Sequence, residues 1–239
     1  MSRPTKKILI IDTETVGELN YPVAYDVGLV VTDRSGNVYH QAHFVVKEIF
    51  GDLQKMCSAY YSEKFQSYID TIYQQETEPL PFAEIVKKIN AICEVWDIST
   101  LAAYNLAFDK RSMKNTAVEL LGTEKWLDRE MSDLCIMCAA CDILYSAKYC
   151  KIARAQGWET EKGNIKTSAE CGYRYITGLY DFEEAHKGLQ DCLIEKEILT
   201  AIYKQHKPFN GQIKAFPFRE VWKRERKAQE EEQRKFEIF

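Results

Sequence analysis

The stretch Ile8-Leu9-Ile10-Ile11-Asp12-Thr13-Glu14-Thr15 constrains this chain more than any other. Four aliphatic residues in a row read as a buried strand, and they give way at once to two carboxylates separated by one residue. Side chains at i and i+2 of a strand point the same way, so Asp12 and Glu14 project together from the end of a strand that is otherwise core. Anions held that close repel each other unless a cation lies between them. A solvated acidic turn would satisfy the same pattern. The pair gains meaning only if the rest of the chain brings further carboxylates to the same place.

At 239 residues and 46% hydrophobic, the chain can bury a sizeable core as one globular unit, with room for an appendage. Its formal net charge of −4 argues against a protein that coats nucleic acid by bulk electrostatics. A polyanion would have to be met by a metal or a local basic patch. No apolar run nears the ~18 residues of a membrane span. Met1 to Lys7 lacks an apolar signal core behind its charges, so a cytoplasmic protein without membrane contact is expected. The 8 cysteines are then expected to be reduced and packed as small hydrophobes. Cys135, Cys138 and Cys141 recur at a spacing of three, but a fourth ligand and a nearby histidine are missing. Leu134, Ile136, Met137 and Ile143 frame them as a buried helix.

Strands are expected at 7–12, 24–32 and 38–46, with Asp33-Arg34-Ser35-Gly36-Asn37 as a turn in an antiparallel meander. Residues 47–79 read as short surface helices, in which Tyr60, Tyr61, Phe65, Tyr68 and Tyr73 suit either base stacking or packing on the sheet. After Pro81, the residues Phe82, Ile85, Val86, Ile89, Ile92, Cys93 and Trp96 form one apolar stripe at helical spacing. A short strand at 100–104 leads through Asn105-Leu106-Ala107-Phe108-Asp109 into a helix over 110–121 that Gly122 closes. Asp109 thus stands where a strand gives way to a helix, the place at which α/β sheets bind ligands.

Residues 148–168 read as polar and irregular around Gly157 and Gly163, and 168–176 as helix. His186 and Asp191 would lie about 140° apart on an uninterrupted helix. His186 is therefore expected before the regular helix and Asp191 on it. Phe218 to Phe239 carries a basic block followed by an acidic one, which suits a solvated terminal helix or a phosphate- or partner-binding tail.

Asp12, Glu14, Asp109, Asp191 and His186 form a set suited to phosphodiester cleavage. That reaction must neutralise a pentacovalent dianion, deprotonate water and stabilise the leaving 3′ oxygen. Two divalent ions roughly 4 Å apart, held by carboxylates, serve all three needs. Oxygen ligands suit magnesium or manganese. A histidine, whose ordinary pKa lies near neutrality, can take the proton from the attacking water.

The Asp-x-Glu pair in IDTET, Asn105 with Phe108-Asp109, and His186 followed by Asp191 resemble, in this order, the three motifs of the DEDDh family of 3′–5′ exonucleases. That family includes polymerase proofreading subunits, ribonuclease T and oligoribonucleases. The resemblance covers residues 7–205, and AYYSEKFQSYID and YRYITGLYDFEEAHKGLQDCLIEKEIL are similar to stretches of exonucleases encoded by bacteriophages. It implies an α/β, ribonuclease H-like fold with a five-stranded mixed sheet, its first three strands antiparallel, flanked by helices. The exonuclease domain would occupy 1–205, and a charged helical extension 206–239.

By the same resemblance, Asp12, Glu14, Asp109 and Asp191 would bind two Mg²⁺ or Mn²⁺ and His186 would be the general base. Thr13, Thr15, Val16, Asn105 and Phe108 would hold the terminal nucleotide, with Val16 as a wedge between the last two bases. The implied activity is release of nucleoside monophosphates from the 3′ end of single-stranded DNA in the cytoplasm, a host's for a phage protein, with a replication or polymerase partner. Degradation of short RNA and a binding role within a replication complex remain the alternatives.

Overall fold

The computed structural model describes residues 6–59, 62–74 and 77–236. The chain opens with a meander of β1 (Ile8–Val16), β2 (Val23–Thr32) and β3 (Val38–Val46). Two single-turn helices follow, α1 (Lys47–Phe50) and α2 (Leu53–Met56), then α3 (Phe65–Tyr73) and the edge strand β4 (Glu78–Leu80). The next elements are α4 (Phe82–Val95), β5 (Thr100–Ala103), α5 (Leu106–Leu121), β6 (Ser132–Cys135), α6 (Ile136–Ile143) and α7 (Ala147–Ala155). Helices α8 (Ala169–Thr177), α9 (Gly188–Lys204) and α10 (Phe218–Phe236) complete the order.

The strands form one mixed sheet in the order β4-β3-β2-β1-β5-β6. Strand β2 runs antiparallel to both β1 and β3, and the other pairings are parallel. All ten residues of β2 are buried, as a strand covered on both faces requires. The faces are set by alternation along β1. Leu9 and Ile11 join the core that contains α4 and α5 residues, while Ile8 and Ile10 join the core that contains α6, α8 and α9 residues. Asp12 and Glu14 continue the second series, so the strand aims both carboxyls at the α9 side.

Among the described residues the sheet has six strands where five are expected. The extra pairing comes from short segments, the three residues of β4 and the four of β6, which carry too little alternation to announce a strand. Pro79 is compatible with β4 because that strand lies at the sheet edge. The expected irregular stretch after residue 148 is also corrected, since α7 is regular and buries Tyr149, Cys150 and Ala153 on one side. Lys148, Lys151 and Arg154 interrupt that face and disguise it in the sequence.

All the cysteines except Cys57 are buried thiols. The first turns of α10 are docked rather than solvated. Val221 is fully buried, Trp222 Nε1 donates to the Ile165 carbonyl at 2.8 Å, and Arg154 Nε donates to Glu225 at 2.6 Å. No helix of the described residues is long and apolar enough to cross a membrane.

Candidate active site

Strand β1 runs on to Val16, so Asp12 and Glu14 lie within it, facing Gly28 and Asp26 of β2 across the ladder. A register shift between Glu14 and Thr15 ends the regular pairing there. Gly28 leaves open the space opposite Asp12, and the backbone at the start of α9 occupies it. A Cβ on Gly28 would stand 1.9 Å from the Gly188 carbonyl carbon, and one on Gly188 would stand 2.5 Å from the Gly28 nitrogen. Two facing glycines thus let α9 press onto the sheet, and Asp191 in its first turn arrives beside Glu14. Gly188→Ala must push the helix away, and a loss of about 1–3 kcal/mol or more is expected from overpacking. Urea unfolding of this variant against wild type measures the effect, and an unchanged midpoint would refute the close approach.

His186 lies two residues before α9, with a left-handed backbone at φ +52. Ligand atoms of Glu14, His186 and Asp191 all fall within 4.8 Å of one another. Asp109 reaches the same region from α5, on the other side of β1. Its Oδ1 accepts from the Thr13 N–H at 3.1 Å and the Thr13 hydroxyl at 3.0 Å, and the Ser112 hydroxyl donates to Thr13 Oγ1 at 3.0 Å.

These bonds alter the expected nucleotide contacts. Thr13 is buried, and its hydroxyl serves Asp109. Val16 is only 3% exposed, inside the core, and offers no surface to a base as a wedge would. Thr15 is half-buried. Asn105 is exposed at the start of α5, and Phe108 is half-buried with the Arg111 guanidinium 5.6 Å from its ring centre. Of the aromatic residues in 60–73, Phe65 stacks on Phe50, Tyr68 is buried and Tyr73 is exposed. Tyr60 and Tyr61 lie outside the described residues.

The crowding of acids shows in their acidities. Burial, then the negative charges of Glu195, Asp109, Asp191 and Glu14, hold the Asp12 carboxyl well above the usual carboxylate range. Burial followed by Asp26 and Asp191 pushes Glu14 up to about 9. Burial and Glu184 push Asp191 up to about 8, with Lys64 opposing. Asp109 rises to about 7 through burial, against the Thr13 hydrogen bonds that favour its anion. Desolvation and like charge both disfavour ionisation, and Lys64 offsets them only in part.

Asp26, Glu184 and Glu195 are parts of this cluster that sequence reasoning missed. Glu195 lies four residues after Asp191 on α9, one turn along the same face, and that spacing is the signal that could have found it. Asp26 was hidden within an apolar strand, but the register pairs it directly with Glu14. Asp26 has both oxygens hydrogen-bonded. Asp191 Oδ1 and Glu195 Oε2, by contrast, are buried without a hydrogen-bond partner among the described residues. A buried carboxylate oxygen without a donor is costly unless a cation completes it. Hard oxygen donors and one imidazole fit Mg²⁺ or Mn²⁺. The open groove of about 790 Å³ along Arg34, Tyr203, Lys204 and Phe209 is lined by none of these acids.

Comparison with solved structures places this fold beside Escherichia coli exonuclease I. The complex of that enzyme with a dA16 oligonucleotide is 16% identical, with a TM-score of 0.52 over 83% of this chain and 41% of that one. Its complex with dT13 is 15% identical, with a TM-score of 0.53 over 82% of this chain and 41% of that one. Its zinc-bound complex with single-stranded DNA is 14% identical, with a TM-score of 0.52 over 84% and 41%. The chain therefore spans under half the length of the structures it matches. No protein-family model matches the sequence, and no curated protein matches it significantly.

Proposed function

We propose that this chain is a metal-dependent 3′–5′ exonuclease that releases nucleoside monophosphates from single-stranded DNA. The observation that carries the reading is the convergence of four carboxylates from β1, α5 and α9 with one histidine, where Asp191 Oδ1 has no hydrogen-bond partner among the described residues. The likeness to a fold that is solved with single-stranded oligonucleotides supports the substrate class. Asp12, Glu14, Asp109 and Asp191 would hold two Mg²⁺ or Mn²⁺ ions. When bound, those ions supply the positive charge that a phosphodiester dianion requires. An imidazole nitrogen of His186 accepts the proton of the attacking water. Thr13 fixes the Asp109 carboxylate through two donors, which favours its charged form for binding a cation.

The test is cleavage of 5′-labelled single-stranded DNA, single-stranded RNA and duplex DNA, each with Mg²⁺, Mn²⁺ or chelator. Stepwise shortening of the DNA from its 3′ end is expected, and a blocked 3′ end should protect it while a blocked 5′ end should not. Full activity in excess chelator, or internal cuts on circular single strands, would overturn the reading. Faster shortening of RNA would move the substrate to short RNA.

The weakened acidities also give a pH-dependent effect of metal on stability. Glu14 and Asp191 have folded pKa values near 9 and 8, well above their ordinary ones. The folded metal-free protein therefore holds more protons than the unfolded chain between those limits. Its stability falls as pH rises from the unfolded values toward the folded ones. A divalent ion takes the deprotonated carboxylates, so its binding releases protons and strengthens with pH. The rise in melting temperature on adding Mg²⁺ is expected to be larger at pH 8.5 than at pH 6. An equal rise at both would contradict a site built from these acids.

A further inference from the structure

The proposed chemistry needs His186 held against Glu14 and Asp191, yet His186 sits in an irregular stretch in a backbone conformation that residues with a side chain seldom adopt unaided. The residues on either side of it are tied down, Ala185 before it and Lys187 and Gly188 after it. The Ala185 carbonyl accepts from Lys64 Nζ, and the His186 carbonyl lies 3.5 Å from the Tyr68 hydroxyl oxygen, whose proton is given to Asp26. Lys187 Nζ donates to the Thr71 hydroxyl at 2.7 Å and to the Ser67 carbonyl at 3.4 Å, and lies 5.6 Å from the centre of the Tyr68 ring. The Gly188 N–H donates to Asp26 Oδ2 at 3.0 Å.

All these partners except Asp26 belong to α3 or the turn before it, and Asp26 is bound to α3 in its turn. Its Oδ2 also accepts from the Tyr68 hydroxyl, and its Oδ1 lies 2.7 Å from His43 Nε2, which must be the donor because a carboxylate only accepts. His43, Asp26 and Tyr68 are all buried. With every Asp26 oxygen occupied, this acid is unsuited to hold a cation, although it stands directly across from Glu14. Packing alone does not call for such a group, since apolar residues of the same volume would serve a core at least as well. What the array adds is a fixed direction for the backbone of 185–188.

We propose that α3 and the His43–Asp26–Tyr68 array form a clamp that holds His186 in place, so that Asp26 and Tyr68 are positioning residues for the proton transfer. This rests on the reading of His186 as the base. It gives the segment before β4 a task in the reaction, carried out without touching substrate.

Tyr68→Phe tests the clamp, because it removes one hydroxyl and leaves the ring packed on Tyr25 and Phe50. The expected result is a kcat lower by about tenfold to hundredfold, the effect of a slightly misplaced reacting group, with KM for the oligonucleotide unchanged. In a His186→Ala background the same substitution should change nothing further, as expected of residues acting through one another. An unaltered kcat, or an equal loss in both backgrounds, overturns the proposal.

Amide hydrogen exchange of the peptide covering 184–190 gives a readout independent of activity. Faster exchange is expected in Tyr68→Phe and in Thr71→Val, which removes the shorter of the two hydrogen bonds of Lys187 Nζ together with the bond of the Thr71 hydroxyl to the Ser67 carbonyl. Unchanged exchange in both overturns the clamp. If wild type cleaves no nucleic acid, the proposed function falls, and the exchange experiment still decides whether the segment is clamped.

Discussion

Asp12→Asn is expected to reduce cleavage to the background of the assay and, at the same time, to raise the melting temperature of the metal-free protein. The two effects share one cause. Asp12 is surrounded by Glu195, Asp109, Asp191 and Glu14, so its charge is opposed by burial and by four neighbours. Removing that charge relieves repulsion in the metal-free fold and takes a ligand from the site. Functional sites commonly cost stability in this way. Calorimetry with Mn²⁺ and a non-cleavable oligonucleotide should show the lost ion binding. A variant that still cleaves at the wild-type rate would place the chemistry elsewhere, and one that loses activity together with its fold would show Asp12 to be structural.

His186→Ala is expected to lower the cleavage rate by about 10² to 10⁴, the usual worth of a positioned base, while metal and oligonucleotide affinity stay near wild type. The imidazole lies close enough to Glu14 and Asp191 to be a ligand instead, with donor atoms within 4.8 Å. Affinity separates the roles, since loss of a ligand weakens ion binding and loss of a base does not. The pH–rate profile gives a second criterion. A base must be neutral to act, so the wild-type rate should fall at acid pH, and that limb should change in His186→Ala. A variant with the wild-type rate would assign the water to another group.

Much of this site is legible in the sequence because its chemistry lies in short, unusual strings. Two carboxylates after Ile8–Ile11 have few bland explanations once Asp109 and Asp191 are added. The five-residue step from His186 to Asp191 keeps the two off one face of an uninterrupted helix, so a shared site requires His186 outside it, and His186 does precede α9. Residues whose meaning depends on a partner strand are less legible. Asp26 reads as an interruption of a strand until the β1–β2 register sets it opposite Glu14 and the hydrogen bonds from His43 and Gly188 saturate it.

Val16 shows the converse. Its place two residues after Glu14 suggests the face of the acidic pair, but the register shift between Glu14 and Thr15 breaks the alternation and Val16 joins the opposite core, with Leu9 and Ile11. Glu195 has the right helical spacing, yet its burial without a partner for Oε2 is known only from tertiary packing. Strand β6 is four residues long, and its place beside β5 follows from the crossover through α5 rather than from its own composition.

The contact between Gly28 and Gly188 also bears on the order in which the chain matures. The Gly188 N–H meets Asp26 across 162 positions of sequence, and α9 is the element that delivers Asp191 and Glu195. Contacts of such separation form late, because the intervening chain must first be ordered. A growing chain that has not yet released α9 from the ribosome carries Asp12, Glu14 and Asp109 but neither His186 nor Asp191. On the proposed reading, the base and one of the four acids join the site only when α9 docks, after β1 and α5 have placed the other three.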